Sequence, residues 1–398
     1  MARVLLLTLV FGPDTVSTAN MMTDIARGLQ DKGHELTVLT TVPHYNPSQE
    51  IKRQPAYSAT ILQPVKRSVE DGVRVIRVLM PQKRQRVWRR ALDYALFQGL
   101  TTVMGLFSVG KQDVVLVPSP PITLGLTGYL LSRRQGVPFI YNVQELWPDA
   151  LIRMGVLQDG LLAGILYRVE GFVYREAAAI SVIAQTFMEA LINKGVPNEK
   201  LHFIPNFVDT DWIRPLPKEN HFSRSIELHD KFVTLYAGNI GLTQSLEMLV
   251  DVARILRDED SIHILIVGDG AARKDLERAI AESGLPNITL LPFQPPDRVP
   301  ELYATSDVCL VPLKYGCAKD TIPSKAYTAM AAGRPVIASV EEGTELSALV
   351  RDAASGLVVP PESPQDVAAA ILQLHANPER RYQLGKNGRE FVVERYSR

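Results

Sequence analysis

Two successive series of alternating strand and helix patterns constrain this 398-residue chain more than any other feature. The first series begins with LLLTLV at 5–10, continues with apolar residues at helical spacing, and returns to LTVLT at 36–40. Further apolar runs follow, as expected for parallel strands covered on both faces: VRVIRV (73–78), VVLV (114–117), FIYNV (139–143), AISVI (179–183) and LHFI (201–204). This pattern predicts an α/β unit with a doubly wound sheet.

A stretch without periodicity then interrupts the alternation. Residues 206–230 are polar, contain prolines and predict a linker. After them the alternation restarts with FVTLYAG, IHILIVGDG, ITLL, VCLVPL, PVIAS and GLVV, separated by helical segments. We therefore predict two Rossmann-like domains, 1–205 and 231–398. Ligands of such sheets bind at the carboxyl ends of the strands, so the reaction is expected in a cleft between the two sheets.

Charge balance and cysteine content exclude several classes of protein. The 43 Lys and Arg residues equal the 43 Asp and Glu residues, so no overall field attracts nucleic acid. Cys309 and Cys317 are the only cysteines, which excludes a disulfide framework, and no Cys/His spacing typical of zinc sites occurs. The DTD at 209–211 lacks a further ligand pattern, and we expect no metal. A cytoplasmic location is expected, with the first apolar run a buried strand rather than a signal peptide.

Two glycine-rich corners in the second half are candidate anion sites. In YAGNIGLTQSLEML, Gly238 and Gly241 precede a helix predicted to begin near Ser245. In VGDGAARKDLE, Gly268 and Gly270 end a strand before the next helix. A phosphate can approach a glycine backbone closely, and the N–H groups and dipole at a helix start favour negative charge. Each corner alone is equally compatible with a purely steric turn.

A third corner carries a charged residue where it is not expected. In CAKDTIPSKAYTAMAAGRPVIAS, Pro323 and Ser324 stand at a predicted helix start and Lys325 in its first turn. A lysine there opposes the helix dipole unless an anion lies beside it, which makes Lys325 a candidate phosphate ligand. The alternative is an ordinary surface lysine. Asp320 is expected to project into the cleft and accept hydrogen bonds from sugar hydroxyls.

These segments, together with GHELTVLT and IPNFVD, resemble the family 4 retaining glycosyltransferases of the GT-B fold, and within them the colanic-acid and O-antigen type. The resemblance covers nearly the whole chain. It implies that the first domain binds the acceptor and the second domain a nucleotide sugar. It also implies retention of the anomeric configuration and no bound cofactor or metal. Relatives usually continue past ERYSR into a helix that returns to the first domain, so the last helix is expected to pack there or to end early.

The resemblance also shows where the chain departs from the family pattern. The family carries two glutamates eight positions apart at the third corner, where this chain has Asp320 and Thr328. Its arginine and lysine at the first corner are matched by Asn239 and Gln244, and a first-domain histidine is matched by Gln144. Glu145 and Asp149 then become the nearest ionisable groups. By resemblance the catalytic candidates are Asp320, Lys325 and Glu145, and the donor-binding candidates are Gly238, Asn239, Gly241, Gln244, Gly268, Asp269, Gly270, Phe293, Ser324 and Thr328.

Substrates are expected by resemblance only. Uridine diphosphate is the default carrier of the donor sugar, and the acceptor is an undecaprenyl-diphosphate-linked or other glycan of a bacterial surface polysaccharide. Two alternatives remain: a sugar-nucleotide 2-epimerase of the same fold, and a non-catalytic sugar-nucleotide-binding protein. The missing cleft histidine argues against the epimerase, which needs groups for proton transfer.

The segment between Pro81 and Val109 combines a basic start with an apolar helical run. Lys83, Arg84, Arg86, Arg89 and Arg90 supply the charge. Such a helix can lie in the interface of an anionic bilayer, at the inner face of the plasma membrane. The equally open alternative is a first-domain core helix with a solvated basic lead-in.

Overall fold

The computed structural model describes residues 1–14, 16–44, 51, 53–80, 87–153, 155, 157–158, 160–318 and 323–398, without the side chains of 87–92. These residues form two compact units, Met1–Pro205 and Asn206–Arg398. The first unit therefore ends at the residue where the sequence predicts the end of the first domain.

The first unit contains a sheet with the strand order β3-β4-β2-β1-β5-β6-β7-β8. Neighbouring strands are parallel except for the antiparallel pair of β3 and β4. The strands are β1 (Arg3–Leu7), β2 (Glu35–Thr41), β3 (Val65–Glu70), β4 (Val73–Val78), β5 (Val114–Ser119), β6 (Phe139–Val143), β7 (Ala179–Val182) and β8 (Leu201–Phe203). The helices are α1 (Ser17–Asp31), α2 (Val87–Ser108), α3 (Thr123–Gln135), α4 (Asp149–Arg153), α5 (Leu161–Glu176) and α6 (Gln185–Asn193).

The second unit contains an all-parallel sheet with the order β11-β10-β9-β12-β13-β14. Its strands are β9 (Phe232–Asn239), β10 (Ile262–Asp269), β11 (Ile288–Leu291), β12 (Val308–Pro312), β13 (Val336–Ser339) and β14 (Gly356–Val359). Its helices are α7 (His221–Ser225), α8 (Met248–Ile255), α9 (Arg273–Ser283), α10 (Val299–Thr305), α11 (Ser324–Ala331), α12 (Glu345–Asp352), α13 (Pro364–His375) and α14 (Pro378–Arg395). Counted along this unit, the order is 3-2-1-4-5-6, the order of Rossmann folds, with its switch point between β9 and β12.

Apolar strands at the centre of this sheet explain why it forms. The residues of β12 are all buried, as are the first seven of β10, because helices cover both faces of the sheet. On one face, α8 and α13 pack together through four fully buried side chains, those of Leu249, Val252, Val367 and Ile371. This core fixes the strand ends, which carry the site.

Residues 206–230, for which the sequence predicts a linker, belong to the second unit. Residues 206–220, called the strap below, are held through their backbone. The Arg389 guanidinium donates to the carbonyl oxygens of Thr210 (2.9 Å) and Ile213 (2.9 Å), and that of Arg334 donates to Leu216 (3.1 Å). Backbone hydrogen bonds to arginines impose no side-chain period, which is why the sequence pattern missed the strap.

The end of the chain lies against the same strap. Ser397 pairs with Val208 in an isolated parallel bridge, and the Tyr396 ring stacks on Tyr327 with 4.7 Å between ring centroids. The last helix, α14, packs on α11 and α13 of its own unit. The strap, α11 and the chain end thus stabilise one another.

Candidate functional site

The carboxyl ends of β9 and β10 approach each other more closely than side chains would allow. A Cβ atom placed on Gly268 would lie 1.9 Å from the carbonyl oxygen of Gly238. One placed on Gly270, whose φ is +158°, would lie 2.4 Å from the carbonyl oxygen of Ile240. Both contacts are with backbone, which cannot move aside cheaply. The first two glycine-rich corners therefore form one surface, as their glycines predict.

The turn after β9 is longer than the sequence indicates. The helix begins at Met248, not near Ser245, and Ser245 has a φ of +48°. In this turn the Gly241 amide donates to the Gln244 side chain at 2.9 Å. The Gln244 side-chain oxygen thus accepts the hydrogen bond that the Gly241 amide could otherwise donate to a phosphate oxygen. Asn239 is exposed at the strand end, next to this turn.

The Lys325 side chain connects the third corner to the first. Its side chain runs from the first turn of α11 to the end of β9, where Nζ would lie 3.3 Å from a Cβ on Gly238. Nζ donates to the Tyr236 hydroxyl at 2.7 Å and lies 4.1 Å from the centroid of that ring. Burial lowers the pKa of Lys325 to about 7. The residue therefore lies at the converging corners and is not an ordinary surface lysine.

The other candidates of the third corner are placed differently. Ser324 is the first residue of α11. The Thr328 hydroxyl donates to the Ser324 carbonyl at 3.2 Å and shares a hydrogen bond with Tyr303, so both of its contacts are inside the unit. Asp320 lies outside the described residues.

Two candidates flank the end of β10. The Asp269 carboxylate accepts from the Gly270 amide at 2.7 Å, which orders the strand end. Phe293, in the loop after β11, is 51% exposed. Between them, the Arg273 guanidinium donates to the carbonyls of Gly268 and, at 3.1 Å, Leu291. Arg273 thereby fixes the ends of β10 and β11 relative to each other.

In the first unit, Glu145 follows β6 at the carboxyl end of the sheet. One oxygen of its carboxylate accepts from the Trp147 indole at 3.0 Å, and burial raises the pKa of this carboxyl. Gln144, at the position of the family histidine, donates from its amide to Asn142 at 2.7 Å. Asp149 pairs with Lys194 and accepts from the Tyr167 hydroxyl, so it serves a packed polar network. Of the ionisable candidates here, Glu145 is the one outside that network.

Two kinds of residue were missed by the sequence analysis. Tyr236 stands in an apolar strand and is counted as core, although its position two residues before Gly238 is a usable signal. No local sequence pattern singles out Glu341 or Glu362. Glu362 accepts from the Tyr315 amide (3.1 Å) and the Ser245 hydroxyl (3.4 Å), and Glu341 accepts from the Gly316 amide (2.8 Å). Glu362 thus joins the loop after β12 to the turn after β9, and Glu341 fixes the same loop at Gly316.

Across the residues that the structure describes, no three His, Cys, Asp or Glu side chains are grouped in a way that could hold a metal ion.

Known protein families match both units. The glycosyl transferase 4-like domain matches residues 18–206, and the family of glycosyl transferases group 1 matches residues 217–391. Among solved structures, Alr3699/HepE of Anabaena in complex with UDP has a TM-score of 0.69 at 17% identity, covering 99% of this chain and 96% of that one. The sucrose-phosphate synthase of Thermosynechococcus elongatus gives 0.71 at 19% identity, covering 99% and 95%. These likenesses confirm the predicted GT-B fold.

Curated relatives agree with the families. The glycosyltransferase WbjE of Pseudomonas aeruginosa is 30% identical over 280 residues, which cover 69% of this chain and 70% of that protein. WcaI of Escherichia coli (strain K12), a glycosyl transferase named for colanic acid biosynthesis, is 25% identical over 395 residues, covering 93% and 91%. The shared domains and these relatives confirm the resemblance seen in the sequence: the chain belongs to the family 4 type of GT-B glycosyltransferases, with relatives in bacterial surface polysaccharide biosynthesis.

Proposed function

We propose that this glycosyltransferase moves a sugar from a uridine diphosphate sugar to a glycan acceptor, lipid-linked or free, with retention of the anomeric configuration and without a bound metal. The main support for the proposed donor site is that the glycine corners and the Lys325 ammonium converge at Gly238. A second support is that the HepE structures of similar fold contain UDP and UDP-glucose.

The chemistry assigned to this site is a displacement at the anomeric carbon. The bond from that carbon to the diphosphate oxygen breaks, the acceptor oxygen forms a new bond on the same face, and the acceptor proton passes to the departing diphosphate. Stabilising the diphosphate is the main task of the protein, and one fixed donor can contribute about 2.7 to 4 kcal/mol. Lys325 and the glycine-corner amides are assigned this task, Asp320 the sugar hydroxyls, and Glu145 the acceptor side.

A panel of nucleotide sugars tests the donor. A ligand that binds only the folded chain raises its melting temperature with the logarithm of concentration over Kd. We expect UDP sugars to raise the melting temperature more than ADP or GDP sugars at equal concentration. The best donor should then be consumed only when an acceptor is present. Conversion of the donor to its epimer without an acceptor would contradict transfer. Equal shifts with every base would contradict the UDP assignment.

We also propose a peripheral contact with an anionic membrane. Among the residues that the structure describes, no helix is long and apolar enough to cross a bilayer. The α2 helix exposes Leu96 (42%), Val103 (50%) and Phe107 (71%) at positions that share one helix face. The five basic residues predicted to precede or begin this helix lie outside the described side chains. An exposed apolar stripe beside a basic segment supports binding in the bilayer interface rather than complete burial in the core.

A further inference from the structure

The Tyr236 hydroxyl lies between a carbonyl and an ammonium group. It donates to the Asn239 carbonyl at 2.5 Å and accepts from Lys325 Nζ at 2.7 Å. Donating one hydrogen bond makes the phenol oxygen a better acceptor for the next one. The tyrosine therefore couples the position of the lysine to the backbone at the end of β9, where the donor diphosphate is proposed to bind.

The aromatic ring of Tyr236 also attracts the Lys325 ammonium through its face. Nζ lies 4.1 Å from the ring centroid, within the range of a cation–π contact. Among the described residues, no carboxylate forms an ion pair with Lys325. The tyrosine thus supplies two weak attractions where a carboxylate would supply one strong one. A carboxylate would also compete with an incoming diphosphate, whereas a neutral phenol does not.

Packing alone does not account for a tyrosine at this position. Tyr236 is 0% exposed, and its neighbours on β9 are apolar. A phenylalanine would fill nearly the same volume in this core without burying a hydroxyl, whose burial costs free energy unless it is hydrogen-bonded. The hydroxyl is retained at a place where its partners are a strand-end carbonyl and the candidate phosphate ligand.

We infer that Tyr236 is a positioning residue that holds the Lys325 ammonium over the end of β9, ready for the diphosphate of the donor. A free lysine side chain samples many rotamers, and ordering it on binding would weaken affinity. Holding it in advance removes that cost. The inference rests on the proposed function, because it assumes that Lys325 meets a nucleoside diphosphate.

The first test needs no ligand. The ionisation of Lys325 is followed by NMR of its ε-carbon in the wild-type chain and in Tyr236→Phe. Among the described residues, Tyr236 on β9 faces the ammonium, and Tyr303 on α10 lies beside Tyr236. The hydroxyl stabilises the charged lysine, so its removal is expected to lower the pKa of Lys325 by about one unit. An unchanged lysine titration would overturn the inference.

The second test measures UDP affinity by calorimetry at pH 5.5 and pH 8. At pH 8 the Tyr236→Phe chain should bind about tenfold more weakly than wild type, because one pKa unit is a tenfold change in the protonated fraction. At pH 5.5 both lysines are mostly protonated, so the difference should shrink to the smaller cost of ordering a lysine that the tyrosine no longer holds. Comparing variants at one pH cancels the titration of the UDP phosphate itself. A loss that is equal at both pH values would indicate structural damage and overturn the inference.

Two further variants make the result specific. In a Lys325→Met background, Tyr236→Phe should have no further effect on UDP binding, since residues that act through one another are not additive. Tyr327→Phe, a buried tyrosine on α11 away from the ammonium, is the matched control and should bind UDP as wild type does. If wild type itself binds no UDP, the proposed donor is refuted, whereas the lysine titration still decides the role of Tyr236.

Discussion

Lys325 carries a positive charge in a place where the protein alone does little to stabilise it. Its side chain is only partly accessible, and burial lowers its pKa from 10.5 to about 7. Residues that are unfavourable for the folded state and lie among converging strand ends are candidates for function. A substitution there should therefore separate stability from activity.

Replacing Lys325 by Met tests this separation. We expect turnover to fall at least tenfold, because the departing diphosphate loses its cation. We also expect the melting temperature to rise by a few degrees. The folded chain releases the lysine proton near pH 7 and the unfolded chain near 10.5, so wild type gains stability as the pH rises between these values.

The stability gain of the Met variant should therefore be largest below pH 7 and shrink toward pH 10, which calorimetry at several pH values can follow. A lower melting temperature at pH 6 would show that the lysine is structural. Lys386→Met, on the exposed side of α14, is the control and should change neither quantity.

Single residues could be predicted where a residue type has one dominant physical use. Gly268 and Gly270 were identified because close backbone approach requires glycine, and Lys325 because it opposes a helix dipole. Thr328 is a donor-binding candidate by resemblance, and in the structure its hydroxyl contacts Ser324 and Tyr303. Tyr236 was missed because its hydroxyl accepts from Lys325, 89 residues away in the sequence, which no local pattern connects to it.

At the scale of elements, Arg389 of α14 is one of the two arginines that hold the strap through its carbonyls. Besides Thr210 and Ile213, the Arg389 guanidinium donates to the Ala331 carbonyl at 2.8 Å, and so joins the strap to α11 and α14. Removing it leaves three carbonyls without their donor. A hydrogen bond to a charged group contributes about 1.5 to 3 kcal/mol.

We expect Arg389→Ala to lower the free energy of unfolding by about 3 kcal/mol. Urea denaturation followed by circular dichroism measures this change. Lys386→Ala, which loses only an exposed pair with Glu390 on the same helix, should stay within about 0.5 kcal/mol of wild type. Equal effects of the two substitutions would show that the strap is not held through Arg389.

The sequence predicted the buried strands because their apolar runs are unmistakable. It missed β3, whose residues alternate between half-buried and exposed at the edge of the sheet, so their pattern is weaker. It placed the start of α8 too early, because Ser245 resembles a helix cap but adopts a left-handed φ instead. Element ends depend on hydrogen bonds to distant residues, which periodicity does not record.

At the scale of the whole molecule, a net charge of zero conceals an uneven distribution. The first unit carries 22 Lys and Arg against 16 Asp and Glu, and the second carries 21 against 27. The overall balance predicts no general attraction to polyanions, yet it does not describe either unit. The basic surplus lies in the unit that exposes the apolar stripe of α2, which agrees with the proposed membrane contact.

Binding to vesicles tests that contact on the complete chain. Replacing Lys83, Arg84, Arg86, Arg89 and Arg90 by Gln should weaken co-sedimentation with vesicles rich in phosphatidylglycerol at least tenfold, since each basic residue near the surface contributes about 1 kcal/mol. Binding by wild type should also decrease as salt rises from 50 to about 500 mM. Binding that is unaffected by the substitutions and by salt would contradict the proposal, and neutral vesicles serve as the control.

The strap has a practical consequence for anyone who studies the nucleotide half separately. A recombinant fragment that starts at residue 231, where the first strand of that half nearly begins, would leave Arg334 and Arg389 facing missing carbonyls. A fragment that starts at Asn206 retains those partners and the bridge from Val208 to Ser397. The choice of start residue should thus decide whether the fragment is recovered folded or in aggregates.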